Sequence, residues 1–310
     1  MIKYSAIIML EDQHEDFAEF VQNLHDLLSR KNEPFEIVIV ANGTGGFLRN
    51  QMDHLRGCQG NIKAFELNTH VSQAVCLKAG FKESSGEIIL ACGSYQQITK
   101  DSFGWLLDSL DSATDIISPW RKSRVDSRFK QLRSAIYNAT VRRIIKTDLH
   151  DLNCTVKVFR RKVLDEVQLY GNMYRYMPII AAQKGYKTKE VECRHYEERG
   201  GKSGISNLPE YFTRIIDIMT LYFNTRFTKR PLRFFSTIGL CFLVTGLLIT
   251  AYVFIQKIFF GIFMGGRPIL LLAIFFIVLG IQTASVGLLG EIIVFTHGRK
   301  KKEYTIEKMI

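Results

Sequence analysis

The sequence predicts an α/β domain built on a mostly parallel sheet, followed by an interfacial amphipathic helix and a hairpin of two transmembrane helices. Two observations carry this. Through the first 118 residues, short apolar runs alternate with stretches of helical period, the pattern of a parallel sheet covered on both faces. Charge then all but vanishes, with only Lys257 and Arg267 between residues 234 and 290.

Tyr4 to Leu10 reads as the first strand, and Glu15 to Ser29 as a helix with apolar residues at 17, 20, 21, 24, 27 and 28. Phe35 to Val40 is the second strand. Ala41-Asn42-Gly43-Thr44-Gly45-Gly46 is a glycine-rich turn leading into a helix through His54. It matches neither of the usual phosphate-cradling glycine patterns, so a plain turn is the better reading. Ile62 to Leu67 is a third strand and Val71 to Glu83 a helix. The run from Gly86 to Ser94 is an apolar fourth strand that opens through Gly93. In such sheets ligands bind beyond the carboxyl ends of the strands, so residues 91 to 94 should face the ligand. Thr99 then caps a helix to Leu110, and Asp115 to Ser118 is a fifth, short strand.

Val125 to Lys146 has the period of a basic amphipathic helix. Asp151 to Arg161 runs from a turn into a strand, Met173 to Gln183 is a helix, and Tyr186 to His195 a last strand. Arg199 to Gly204 reads as a flexible basic loop. Leu208 to Phe227 mixes aromatic and basic residues as an interfacial helix does. Phe234 to Gln256 and Ile269 to Gly290 are uncharged runs of 23 and 22 residues. Each exceeds the roughly 20 residues that cross a hydrocarbon core. The domain expectation is therefore 1–205 for the α/β domain, 206–233 for the interfacial segment, 234–256 and 269–290 for the spans, 257–268 for the outer loop and 291–310 for a basic tail. Lys229, Arg230 and Arg233 before the hairpin, and Arg299 to Lys302 after it, place both ends in the cytoplasm of an inner membrane. No long apolar stretch precedes Glu11 and Asp12, so no cleavable leader is expected.

The formal net charge is +11. Between Ser118 and Lys162, 13 Lys and Arg face three Asp, a local net of +10. Beside two spans and without interleaved aromatics, this block favours lipid headgroups or a phosphorylated substrate over nucleic acid. The six cysteines form no CxxC pair, so neither a disulfide framework nor a zinc site is indicated.

Several motifs resemble those of the membrane-bound polyprenyl-phosphate glycosyltransferases of glycosyltransferase family 2. This GT-A-fold group includes the dolichol-phosphate mannose synthases and, nearest in character, the undecaprenyl-phosphate aminoarabinose transferases. Arg121, Arg124, Asp126, Ser127 and Phe129 resemble its Arg-rich segment. Asp151, Cys154 and Arg160-Arg161 resemble its acidic-Cys-basic strand, with Lys157 where Arg is usual. Gln73, Ala79 and Gly80, Pro231-Leu232-Arg233 and Gly287-Leu288-Leu289-Gly290-Glu291 also correspond. The resemblance implies sugar transfer from a nucleotide sugar to a polyprenyl phosphate. It implies Arg121, Arg124, Lys157, Arg199 and Lys202 as acceptor or phosphate contacts, and Asp151 as the acidic residue nearest the transfer.

The family holds Mg or Mn through an Asp-any-Asp motif, where this chain has Ala91-Cys92-Gly93-Ser94. The usual Asp-Asp-Gly-Ser of the second strand is Ala41-Asn42-Gly43-Thr44, and the first-strand motif reads Met9-Leu10-Glu11-Asp12-Gln13. Glu11, Ala41, Asn42, Gln73, Cys92, Gly93 and Ser94 are therefore altered donor-site positions. No metal or other cofactor is expected from them, and nucleotide-sugar binding stays open. So does the alternative of an inactive relative that binds lipid phosphate or serves an active transferase or flippase as partner. Membrane lipid and polyprenyl phosphate are the expected partners, and a homo-oligomer is left open.

Overall fold

The computed structural model describes residues 2–55, 60–122, 139, 142, 147, 149–169, 171–196, 216, 220, 231–261 and 268–298. The chain divides into two compact units, Met1–Leu221 with Tyr304–Ile310, and Tyr222–Glu303. The basic helix expected over 125–146, the loop 199–204 and the interfacial helix 208–227 lie outside the described residues, isolated positions apart.

In the first unit, strands β1 (Tyr4–Leu10), β2 (Phe35–Asn42), β3 (Ile62–Leu67) and β4 (Ile88–Gly93) alternate with helices α1 (Phe17–Ser29), α2 (Phe47–His54), α3 (Gln73–Glu83) and α4 (Lys100–Asp108). Then come β5 (Ile116–Arg121), β6 (Lys157–Arg160), α5 (Arg161–Glu166), a 3-10 turn (Met173–Tyr176), α6 (Met177–Gln183) and β7 (Thr188–Cys193). The sheet has seven strands in the order β3-β2-β1-β4-β6-β5-β7. All pair in parallel except β6, which runs antiparallel to β4 and β5. The sheet is mostly parallel, as expected, and the reversed β6 brings its first residue, Lys157, to the end where β4 finishes.

Both faces of the sheet are covered. Phe17, Phe20 and Leu24 of α1 with Phe103 and Leu106 of α4 pack on one face; Leu77 of α3 with Tyr174, Tyr176 and Ile179 packs on the other. Burial on both faces explains why β1, β2 and β4 are unbroken apolar runs rather than alternating ones. At Gly80 of α3 a Cβ would lie 2.5 Å from Ile7 Cγ2 and 2.9 Å from Val40 Cγ2, so only glycine lets the helix seat on β1 and β2. The glycine-rich turn after β2 is a turn with Gly43, Gly45 and Gly46 at φ of 70°, 63° and 86°, values that glycine adopts without strain.

At the opposite end, Glu36 is buried and accepts hydrogen bonds from Ser5 Oγ and Lys63 Nζ, each at 2.7 Å, and from the Ser85 N–H. Ser5 Oγ in turn accepts from the Gly86 N–H at 2.8 Å. This network fixes the Ser84-Ser85-Gly86 turn that launches β4.

The second unit holds α7 (Pro231–Phe260) and α8 (Pro268–Gly298), both long and apolar enough to cross a membrane. Only 17% and 11% of their most apolar windows are buried, so their side chains face outward as lipid-facing helices do, not inward as in a soluble core. Both run past the uncharged stretches, because a helix continues wherever its backbone bonds can be made. The two pack through glycines: a Cβ on Gly239 would meet Gly280 O at 2.6 Å, and one on Gly246 would meet Ala273 O at 2.8 Å. The Gly290-Glu291 pair closes the hairpin base. Gly290 admits Pro231, and Glu291 Oε2 accepts the Leu232 N–H at 3.2 Å, satisfying an orphan donor at the start of α7.

Candidate active site

The carboxyl ends of β1, β2, β4 and β5 and the start of β6 define one end of the sheet, where an α/β fold places its ligands. Met9 pairs with Gly93, Ala91 with Lys157, and Arg121 with Cys193, so the strand ends that carry the sequence candidates meet here. Arg121, Asp151, Lys157, Glu11, Asn42, Gln73, Cys92, Gly93 and Ser94 all lie along this end. Arg124, Arg199 and Lys202 fall outside the described residues.

Arg121 and Asp151, thirty positions apart, form a buried bidentate pair: Nε to Oδ2 at 2.6 Å and Nη2 to Oδ1 at 3.1 Å. β5 extends three residues further than expected, and this seats Arg121 in the sheet. Glu190 holds the Asp151 side of the pair. Its carboxylate accepts the Asp151 N–H at 2.9 Å and the His150 N–H at 2.8 Å, while the His150 ring stacks on Trp120 at 4.2 Å.

Lys157 is fully buried, and its Nζ donates to Ser118 Oγ at 3.4 Å and Cys154 O at 3.2 Å. Both acceptors are neutral. Burial pulls its ammonium down to about 8 from an ordinary 10.5, against the opposing charge of the Asp151 carboxylate. Arg121 and Arg175 are also within electrostatic reach of it. Burial pushes the Cys92 and Cys154 thiols upward and the Cys193 thiol up to about 12, so all three stay protonated and poor as metal ligands at neutral pH.

Beyond β4 the loop turns inward on itself. The Gly93 N–H donates to Thr155 Oγ1 at 3.3 Å, Gln97 Oε1 accepts the Thr155 N–H at 2.8 Å, and Gln97 Nε2 donates to Tyr95 OH at 2.7 Å. Tyr174 OH closes the same junction by donating to Thr155 O. Neutral amides and hydroxyls thus tie the end of β4 to the approach to β6.

At the end of β2, Asn42 uses both ends of its amide: Nδ2 donates to Val71 O at 2.7 Å and Oδ1 accepts the Val71 N–H at 2.8 Å. A carboxylate could not make the first of these bonds. Ala41, one residue earlier, is fully buried in the core. Glu11 accepts from Gln73 Nε2 at 2.7 Å, and burial raises its carboxyl despite that bond. Among the described residues, no group of three or more His, Cys, Asp or Glu is placed to hold a metal ion.

Sequence reading missed Ser118, Thr155, Gln97, Tyr174 and Glu190 as parts of this end. Their roles depend on which strands become neighbours, and no local spacing signals that.

Residues 14–168 match the family described as Glycosyl transferase family 2. Over 99% of its length the chain is 24% identical to the undecaprenyl-phosphate 4-deoxy-4-formamido-L-arabinose transferase of Proteus mirabilis, covering 94% of that protein. It is 26% identical to the dodecaprenyl-phosphate galacturonate synthase of Rhizobium johnstonii, over 96% of this chain and 89% of that one. Two solved structures share the fold. One is mannosyl-3-phosphoglycerate synthase from Rubrobacter xylanophilus, with a TM-score of 0.56 and 11% identity over 71% of this chain and 73% of that one. The other is glucosyl-3-phosphoglycerate synthase from Mycobacterium tuberculosis in complex with Mn2+, UDP and phosphoglyceric acid, with a TM-score of 0.53 and 10% identity over 72% and 78%.

Proposed function

The chain belongs to glycosyl transferase family 2, and from that membership we propose that it transfers a sugar from a nucleotide sugar to a polyprenyl phosphate at a membrane surface. One observation carries the reading. Relatives named for polyprenyl-phosphate products align over 96% to 99% of this chain, so the likeness takes in the two apolar helices as well as the α/β unit.

In this reaction a phosphate oxygen of the lipid forms a bond to the sugar's anomeric carbon. The bond from that carbon to the nucleoside diphosphate breaks, and its electron pair leaves with the diphosphate. An ionised lipid phosphate has no proton to lose, so the protein's tasks are to position two anions and to stabilise the charge that builds on the leaving one. Arg121 is proposed to meet the acceptor phosphate, joined by Arg124, Arg199 and Lys202. Asp151, clamped to Arg121, fixes the guanidinium's orientation; it is the acidic residue proposed to lie nearest the transfer.

The family's divalent metal would act at the end of β4 as a counter-charge to the diphosphate. The residues there do not fit it. Cys92, Gly93 and Ser94 offer a protonated thiol, no side chain and a hydroxyl, whereas a hard cation takes anionic oxygens. No step is therefore routed through a metal.

The helices α7 and α8 would anchor the chain where the lipid acceptor resides. The basic flanks favour both chain ends on the cytoplasmic side and residues 257–268 outside. The test is mass spectrometry of the lipid fraction after the purified protein, in nanodiscs holding undecaprenyl phosphate, meets a panel of UDP-, GDP-, CDP- and dTDP-sugars. A hexose- or pentose-type mass gain on the lipid is expected. Intact lipid with every donor would favour the inactive alternative.

A further inference from the structure

The end of the sheet that should receive the donor has the opposite charge design from a metal cage. Such a cage needs carboxylates pointed at one spot. Along the run from Cys92 to Gln97 there is none. Cys92 is fully buried with its thiol directed at Ile7 O, 3.8 Å away. Position 93 faces the approach to β6 so closely that a Cβ there would stand 3.1 Å from Thr155 Oγ1, leaving little room for a side chain able to coordinate. Of the carboxylates at this end, Asp151 has both oxygens on Arg121 and Glu11 accepts from Gln73, while Asp12 follows on the exposed turn after β1.

Two buried cations stand in the same interior. Among the described residues, Arg121 and Lys157 lie beside one fully buried carboxylate, Asp151, which Arg121 engages with both its oxygens, while the partly buried Glu190 holds the far side of Asp151. Arg175 adds a second positive charge within electrostatic reach of Lys157, and its Nε is buried without a hydrogen-bond partner. A buried ammonium with only neutral acceptors is costly to fold around. Asp151 offsets part of that cost, and an anion arriving after folding would offset more. Preorganised cations in a site of low dielectric stabilise a departing phosphate without any ion being recruited.

We infer that this chain binds its nucleoside-diphosphate donor without a divalent metal, the buried cations beside β5 and β6 supplying the counter-charge that carboxylate-held metal supplies elsewhere in the family. The inference rests on the transfer reaction proposed above, for which it names the state of the donor. Lys157 lies out of solvent contact and acts through its charge; Arg121, proposed above for the acceptor phosphate and held by Asp151, adds its charge from the end of β5.

The experiment is isothermal titration calorimetry of the full-length protein in detergent with UDP, GDP, CDP, ADP and dTDP as probes, each in excess EDTA and again in excess MnCl2 or MgCl2. At least one nucleotide is expected to bind, with an affinity in EDTA less than about tenfold below that with metal. A loss of more than about tenfold in EDTA overturns the inference and leaves the transferase reading standing. Absence of binding by every nucleotide under every condition overturns both.

Discussion

Replacing Lys157 by methionine removes the buried ammonium while keeping most of the side chain's volume. Burial lowers its pKa from 10.5 to about 8. That difference amounts to about 3 kcal/mol of penalty carried by the charged form. Against this, the variant loses two hydrogen bonds to neutral acceptors at 3.2 and 3.4 Å, about 1 kcal/mol each. At pH 7 Lys157→Met should thus be as stable as the parent or about 1 kcal/mol more stable. The pH dependence has a definite sign. Between pH 8 and 10.5 the unfolded chain keeps this proton while the folded one releases it, so the parent gains stability as pH rises and the variant lacks that gain. The variant-minus-parent difference should therefore pass from slightly positive at pH 7 to about −2 kcal/mol above pH 10.5. Thermal and urea unfolding followed by near-UV circular dichroism read this, with nucleotide affinity measured on the same samples. Stability is expected to hold at pH 7 while nucleotide affinity falls. A loss of more than about 2 kcal/mol at pH 7, or an unchanged alkaline rise in the variant, would refute the reasoning.

Asp151→Ala strands a buried guanidinium and should lower stability by about 3–5 kcal/mol, whereas the double change Arg121→Met with Asp151→Leu should recover most of it; melting of both variants checks this. Burial alone would raise the Glu36 carboxyl, but hydrogen bonds from Lys63, Ser5 and the Ser85 N–H outweigh it and hold the group below its ordinary 4.5. Its contribution is thus present above pH 4.5 and lost as pH falls through the lower folded value. Glu36→Gln should lose about 1–3 kcal/mol at pH 7 and flatten that part of an acid titration. Glu291→Ala leaves the Leu232 N–H unpaired at the base of the hairpin and should cost about 1 kcal/mol, read as a lower melting temperature in detergent, with Glu291→Gln recovering part of it.

Strands β1, β2 and β4 could be read from sequence because each is buried on both faces and bounded by turn residues, as β4 is by Ser84-Ser85-Gly86 and Gly93, whereas the edge strand β3 is only half-buried and mixes Lys63 and Glu66 with its apolar residues. Pairing could not be read. Nothing in Lys157–Arg160 tells that it runs antiparallel between β4 and β5, because apolar period reports burial and not neighbours. The short helix Arg161–Glu166 escaped notice because its charged residues continue the strand motif without a break. The absence of carboxylates at the ends of β2 and β4 is legible in the sequence, but not what the residues there do instead. Asn42 looks in sequence like a lost aspartate; in the fold its amide locks Val71 from both sides. Lys157 reads as one of a basic run and is instead fully buried, a position composition argues against for lysine.

The most direct test of the transfer reaction follows phosphorus. In vesicles containing undecaprenyl phosphate, the purified chain and the nucleotide sugar that binds it best, 31P NMR separates the lipid's phosphate monoester from a glycosyl phosphodiester. The monoester signal is expected to convert to a diester signal as nucleoside diphosphate is released in equal amount, with EDTA present throughout. A monoester signal that stays unchanged while the donor stays intact, with EDTA or with added Mn2+, would contradict the proposed transfer.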